Sequence, residues 1–127
     1  MAERTVKGTR TTFSVSTGSD ITNEGAGPGL DRSSNIRCFK CNPGSTGDLT
    51  VDIVRSTGVS RVQIFQEDNF TGASAPTGLS KDTNISQSGK GKGKVGVSVT
   101  DATKDYLVYV YGNGYSEMSY DAIVDVP

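Results

Sequence analysis

The sequence predicts an all-β protein: a single antiparallel β-sandwich, jelly-roll or immunoglobulin-like, of about seven to eight strands. Three observations lead there. Several runs alternate apolar with polar residues at the period of a strand, and none shows helical periodicity. Turn-forming residues separate the runs at short intervals, helped by 16 glycines in 127 residues. One run, 105–111, is apolar or aromatic on both faces, so both of its faces must be covered.

In chain order, residues 1–10 carry no clear pattern and are read as an N-terminal tail. Phe13 and Val15 alternate with Thr12, Ser14 and Ser16, which predicts a short half-buried strand. Residues 17–35, centred on the Gly25–Gly29 segment, are read as a long Gly-rich loop or arm. A strand over 36–41 stops at Asn42-Pro43-Gly44. Leu49, Val51 and Ile53 define the inward face of the next strand, and Val62 and Ile64 that of its successor. With Ser56–Gly58 between them, these two strands are expected to form a hairpin.

Residues 67–89 are polar and turn-rich and are expected to wrap an edge. Val95, Val97 and Val99 then point one way, and Lys90, Lys92, Lys94 and Ser98 the other. The two-faced strand follows, then a turn at Gly112–Gly114 of the kind that accepts positive φ. In the last strand Met118, Tyr120, Ala122, Val124 and Val126 face inward, with Ile123 out of step. We expect one domain over 1–127.

Composition narrows the chemistry. The chain has no histidine, which removes His-based nucleophilic catalysis and His-ligated zinc. It has no tryptophan, so any sugar-stacking platform would be built of tyrosine. A net charge of −1 gives no electrostatic case for nucleic acid, and no apolar run is long enough for a membrane helix. The opening residues lack the apolar core of a signal peptide, so we expect synthesis and use without export; a secreted protein stripped of its leader is the alternative.

Cys38-Phe39-Lys40-Cys41 is a CxxC at a strand end, without the helix start that activates redox thiols. In an extended chain the two cysteines face opposite sides, with Cα atoms about 10 Å apart. A disulfide needs about 4.4–6.8 Å. A local disulfide therefore requires a turn; free thiols, an intersubunit disulfide and a metal or redox role are the other readings.

The Gly91–Gly96 stretch spells GxGxxG but leads into a strand, not the helix a dinucleotide site needs. Its lysines, Lys90, Lys92 and Lys94, form a basic stripe, either a solvated edge or a docking surface for an acidic partner. Leu107, Tyr109, Tyr111 and Tyr115 form either an aromatic contact surface or the covered second face of a central strand. Asn69 and Asn84 head glycosylation sequons, and Glu67–Asn69 or Asp31 with Asn35 are weak calcium candidates that match no EF-hand loop. No cofactor is expected.

The stretch Lys104 to Val126 resembles the C-terminal hairpin of bacterial pre-peptidase C-terminal domains, with its Tyr-rich strand, Gly turn and Ser119-Tyr120 pair leading into an alternating strand. Asp48–Ile53 followed by Arg61–Phe65 looks like their earlier hairpin. The resemblance implies a small non-catalytic β-sandwich that binds or solubilises.

Taken together these features lead us to expect no enzyme. The expected function is that of a structural protein, a phage virion component that decorates or cements a capsid or tail. It would be oligomeric and would dock on its own copies or on capsid or tail proteins. A secreted module that binds polysaccharide or fibrous protein is the alternative.

Overall fold

Val95, Val97 and Val99 share one interior with Leu49, Val51, Ile53, Val62 and Ile64, each at most 6% exposed. The computed structural model describes residues 2–16, 18, 20–24, 36–66, 80–84, 93–112 and 118–127. Ten strands run through them: β1 (Ala2–Thr9), β2 (Phe13–Val15), β3 (Ile21–Asn23), β4 (Ile36–Cys41), β5 (Gly47–Thr57), β6 (Val59–Gln66), β7 (Ser80–Asn84), β8 (Gly93–Val99), β9 (Tyr106–Gly112) and β10 (Ser119–Val126). They form two five-stranded antiparallel sheets, ordered β2-β1-β10-β5-β8 and β3-β4-β9-β6-β7, here sheets A and B.

The expected β-sandwich is the fold. Its main strands follow the jelly-roll order, with β1, β10, β5 and β8 in one sheet and β4, β9, β6 and β7 in the other. The count exceeds the expected seven to eight because β1, β3 and β7 carry weak patterns. The N-terminal tail is in fact β1, paired along its length with β10 and at its end with β2. Val6 is its one large apolar residue facing the core, and at Gly8 the Tyr120 ring occupies the space a side chain would take. Within the 17–35 loop, Ile21–Asn23 is a strand on β4; residues 25–35 lie outside the described residues.

Two expected hairpins are sheet-to-sheet crossings instead. β5 belongs to sheet A and β6 to sheet B, and the chain turns the corner between them at Gly58, with φ of 70°. A side chain there would be strained. Bulges flank the corner: Val54 is the extra residue opposite the Asp121–Ala122 step, and Ser60 the extra residue between Val59 and Arg61. The first bulge throws Val54 outward, 43% exposed, and turns Ser56 into the interior. The second lets Val59 and Val62 both face inward. β9 and β10 likewise sit in different sheets, so the residues read as a C-terminal hairpin connect the two layers. A half-buried strand alternates in the same way whether the next one pairs beside it or crosses above it, so pattern alone does not separate the two.

Side-chain directions follow the expected parity. Met118, Tyr120, Ala122, Val124 and Val126 are buried, and Ile123 is 37% exposed on the outer face of sheet A. The termini are tied in. Arg4 Nε donates to Asp20 Oδ1 at 3.0 Å, the Asn42 amide donates to the Asp20 carbonyl at 2.8 Å, and the Gly44 amide donates to the Pro127 carbonyl at 2.9 Å.

Candidate functional site

The two-faced strand, β9, is the centre of sheet B, between β4 and β6. Tyr106, Val108 and Val110 face the interior between the sheets. Leu107 and Tyr109 face the other way and join Cys38 of β4 and Phe65 of β6 in a second apolar cluster, with Ile36 and Tyr111 packed beside it. The register explains the grouping: Cys38 pairs with Tyr109 and Phe65 with Leu107, and directly paired residues share a face.

The cluster is graded from sealed to open. Tyr109 is 0% exposed, Leu107 1%, Cys38 2% and Phe65 6%, whereas Tyr111 and Ile36 are half-buried. Phe65 meets the Tyr109 ring edge-on, and Tyr109 stacks on Tyr111 with centroids 6.2 Å apart. At the open end, Arg61 lies over the Tyr111 ring, 4.5 Å from its centroid. The Gln63 side-chain oxygen accepts from Tyr111 Oη at 2.9 Å and from Arg61 Nη2 at 2.6 Å. One acceptor thus fixes both the ring and the cation above it. A cation over a tyrosine face contributes roughly 0.5–1 kcal/mol where water competes. The Arg61 Nε is shielded from water without a hydrogen-bond partner.

Of the two readings of the aromatic residues, a covered second face describes Leu107 and Tyr109, which present no free surface. Tyr111 is half-buried, with Arg61 over its ring, and Tyr115 lies outside the described residues. The sequence reading passed over Arg61, Gln63 and Phe65. One signal could have found them: Phe65 is a large apolar residue on the wet parity of a strand whose inward positions are Val62 and Ile64.

Neither Cys38 nor Cys41 forms a disulfide. β4 is extended through them, so Cys38 faces the outer cluster and Cys41 the interior between the sheets. This parity excludes the local disulfide, which needed a turn. Both are buried, which also removes them as exposed points for an intersubunit bond. Burial, with the nearby Asp20 charge, pushes the Cys41 thiol far above its usual range and keeps it protonated and inert.

Lys94 is exposed on β8, an edge strand of sheet A, where its register partner on β5 is Asp52. A charged residue there discourages strand addition, whatever else it does. Lys90 and Lys92, Asp31 with Asn35, and the Glu67–Asn69 run lie outside the described residues. Among the described residues no three Cys, Asp or Glu side chains gather as a metal site, and no helix is long and apolar enough to cross a membrane.

No family model matches the chain, and no curated protein or solved structure matches it either.

Proposed function

We propose that this chain is a non-catalytic structural protein that docks on a protein assembly, decorating or cementing a virion capsid or tail, and that its first docking partner is a second copy of itself. The observation that carries this reading is the Arg61–Gln63–Tyr111 patch at the open end of the outer sheet B cluster. Arginine and tyrosine are enriched at the cores of protein interfaces. Here they are held in place by one glutamine before any partner arrives, which lowers the ordering cost of binding. The sealed cluster beneath supplies a rigid floor. The jelly-roll order supports the reading by analogy, since capsid subunits use it, but the same fold hosts other functions. Localisation to the virion, after synthesis in a host cytoplasm, belongs to the same proposal.

The test is light scattering across a concentration series, with Arg61→Glu as the disrupting variant. The neighbouring reading frames supply a second check: a capsid or tail gene cluster supports the proposal, and a protease or glycosidase opposes it.

The secreted, pre-peptidase-like reading draws on one observation, the half-buried Tyr111, on whose ring a sugar would stack by displacing Arg61. Pull-down on insoluble glycans tests it; retention that Tyr111→Ala abolishes would favour it.

A further inference from the structure

At one end of the sandwich the β1–β2 turn, the end of β5 and the start of β10 enclose a cleft of about 500 Å³, lined by Thr9, Arg10, Thr11, Thr57, Met118 and Ser119. Its size is that of a small-molecule site. The lining is unusual in its charge balance. Arg10 is half-buried, its Nε is shielded from water without a partner, and its side chain makes no ion pair among the described residues. Arg37 sits immediately behind. Its Nε donates to the Arg10 carbonyl and its Nη1 to the Ile36 carbonyl, both at 2.7 Å, so its hydrogen bonds go to neutral acceptors. Arg37 thus braces the backbone of the turn that carries Arg10, and no carboxylate among the described residues lines the cleft.

The turn that presents Arg10 is firm. Thr9 Oγ1 accepts from the Thr11 amide at 3.2 Å and the Thr12 amide at 3.0 Å, and the Thr9 amide donates to the Thr12 carbonyl at 2.9 Å. The hydroxyls of Thr11, Thr57 and Ser119 are not used by the fold among the described residues, and each can donate to an acceptor in the cleft. Met118 supplies an apolar wall.

We propose that this cleft binds a small ligand through an anionic oxygen group, a carboxylate or a phosphate, seated on the fork of Arg10 and hydrogen-bonded by the hydroxyls of Thr11, Thr57 and Ser119. A planar fork suits the paired oxygens of either group. Partly removing a cation from water carries a cost that a counter-charge offsets, and the ligand supplies that charge to the half-buried Arg10. This site is separate from the sheet B patch and does not depend on the docking role.

Amide NMR titration of the full chain with inorganic phosphate, and separately with succinate, at ionic strength held constant with chloride, tests the proposal. The amides of Thr11, Thr57 and Ser119 are expected to shift and saturate, with a Kd of about 1 mM for such small probes. Arg10→Gln is expected to weaken that binding at least about tenfold, the 1.4 kcal/mol scale of one charge-assisted contact. Arg10→Lys, which keeps the charge, should retain part of it, and Thr57→Val should weaken it less than Arg10→Gln does. Saturation by phosphate alone or by succinate alone identifies the group. Shifts that grow linearly without saturating, or that persist unchanged in Arg10→Gln, would overturn the proposal, because stabilising salts act on any protein surface.

Discussion

Phe65 and Tyr109 meet edge to face, ring centroids 5.7 Å apart and planes at 84°, on the side of sheet B that faces away from the sandwich interior. The contact joins neighbouring strands β6 and β9 on a face where a simple two-layer sandwich would put polar residues. Sheet B is therefore apolar on both sides along its central strand, sealed at Tyr109 and open at Tyr111.

This gradient predicts unequal losses from equal truncations. Tyr109→Ala removes a fully buried ring and is expected to cost about 3–5 kcal/mol in urea unfolding, in the range of large aromatic deletions. Tyr111→Ala removes a half-buried ring and its bond to Gln63, and is expected to cost about 1–2 kcal/mol. Equal costs would mean that the two rings share one environment.

Gly8 faces Tyr120 across the β1–β10 pair. A Cβ at Gly8 would lie 2.5 Å from the ring carbon Cζ of Tyr120, a side chain 3% exposed with little room to move. Gly8→Ala is expected to destabilise by about 1–3 kcal/mol through overpacking. A Gly8→Ala,Tyr120→Leu double variant should lose less than the sum of the two single changes if the clash is the cause.

How far the sequence foretold these features depends on the period of each strand. The inward sets Leu49-Val51-Ile53, Val95-Val97-Val99 and Met118 to Val126 were readable because a period of two is a strong signal when one face is wet. The opposed direction of Cys38 and Cys41 was readable only on the condition that residues 36–41 are extended, which left the local disulfide open until β4 showed no turn there. The crossings β5→β6 and β9→β10 were not readable, because alternation reports which face is buried and not which strand lies alongside. β1, β3 and β7 escaped notice because pairing holds them more than apolar side chains do; β1, for example, has Gly8 where an inward apolar residue would show. The Arg61–Gln63–Tyr111 patch was hidden for a further reason: it depends on a bulge at Ser60 that sets which β6 residues stand over β9.

The buried thiol and phenol give a pH prediction. Burial raises both Cys41 and Tyr120 above their ordinary values. The native state therefore holds protons that the unfolded chain releases. Their stabilising contribution is fully present below the unfolded thiol value of about 8.5 and is lost as pH rises past it, joined by the phenol above about 10. Each group steepens the fall towards about 1.4 kcal/mol per pH unit. Urea unfolding from pH 7 to 10 checks this, and Cys41→Ala should flatten the portion that begins near 8.5. A stability unchanged to pH 10 in the parent chain would contradict the sealed environment of Cys41. In the native state at pH 8 neither Cys38 nor Cys41 is expected to react with a thiol reagent, whereas both should react in denaturant.

The most direct test of docking through the open end of sheet B is the mass of the particle in solution. Light scattering on the eluting protein is expected to give a mass above the 13.3 kDa of one chain, rising with concentration, and to return to 13.3 kDa in Arg61→Glu with the fold retained. A mass of 13.3 kDa at every concentration, or an oligomer that Arg61→Glu leaves intact, would contradict it.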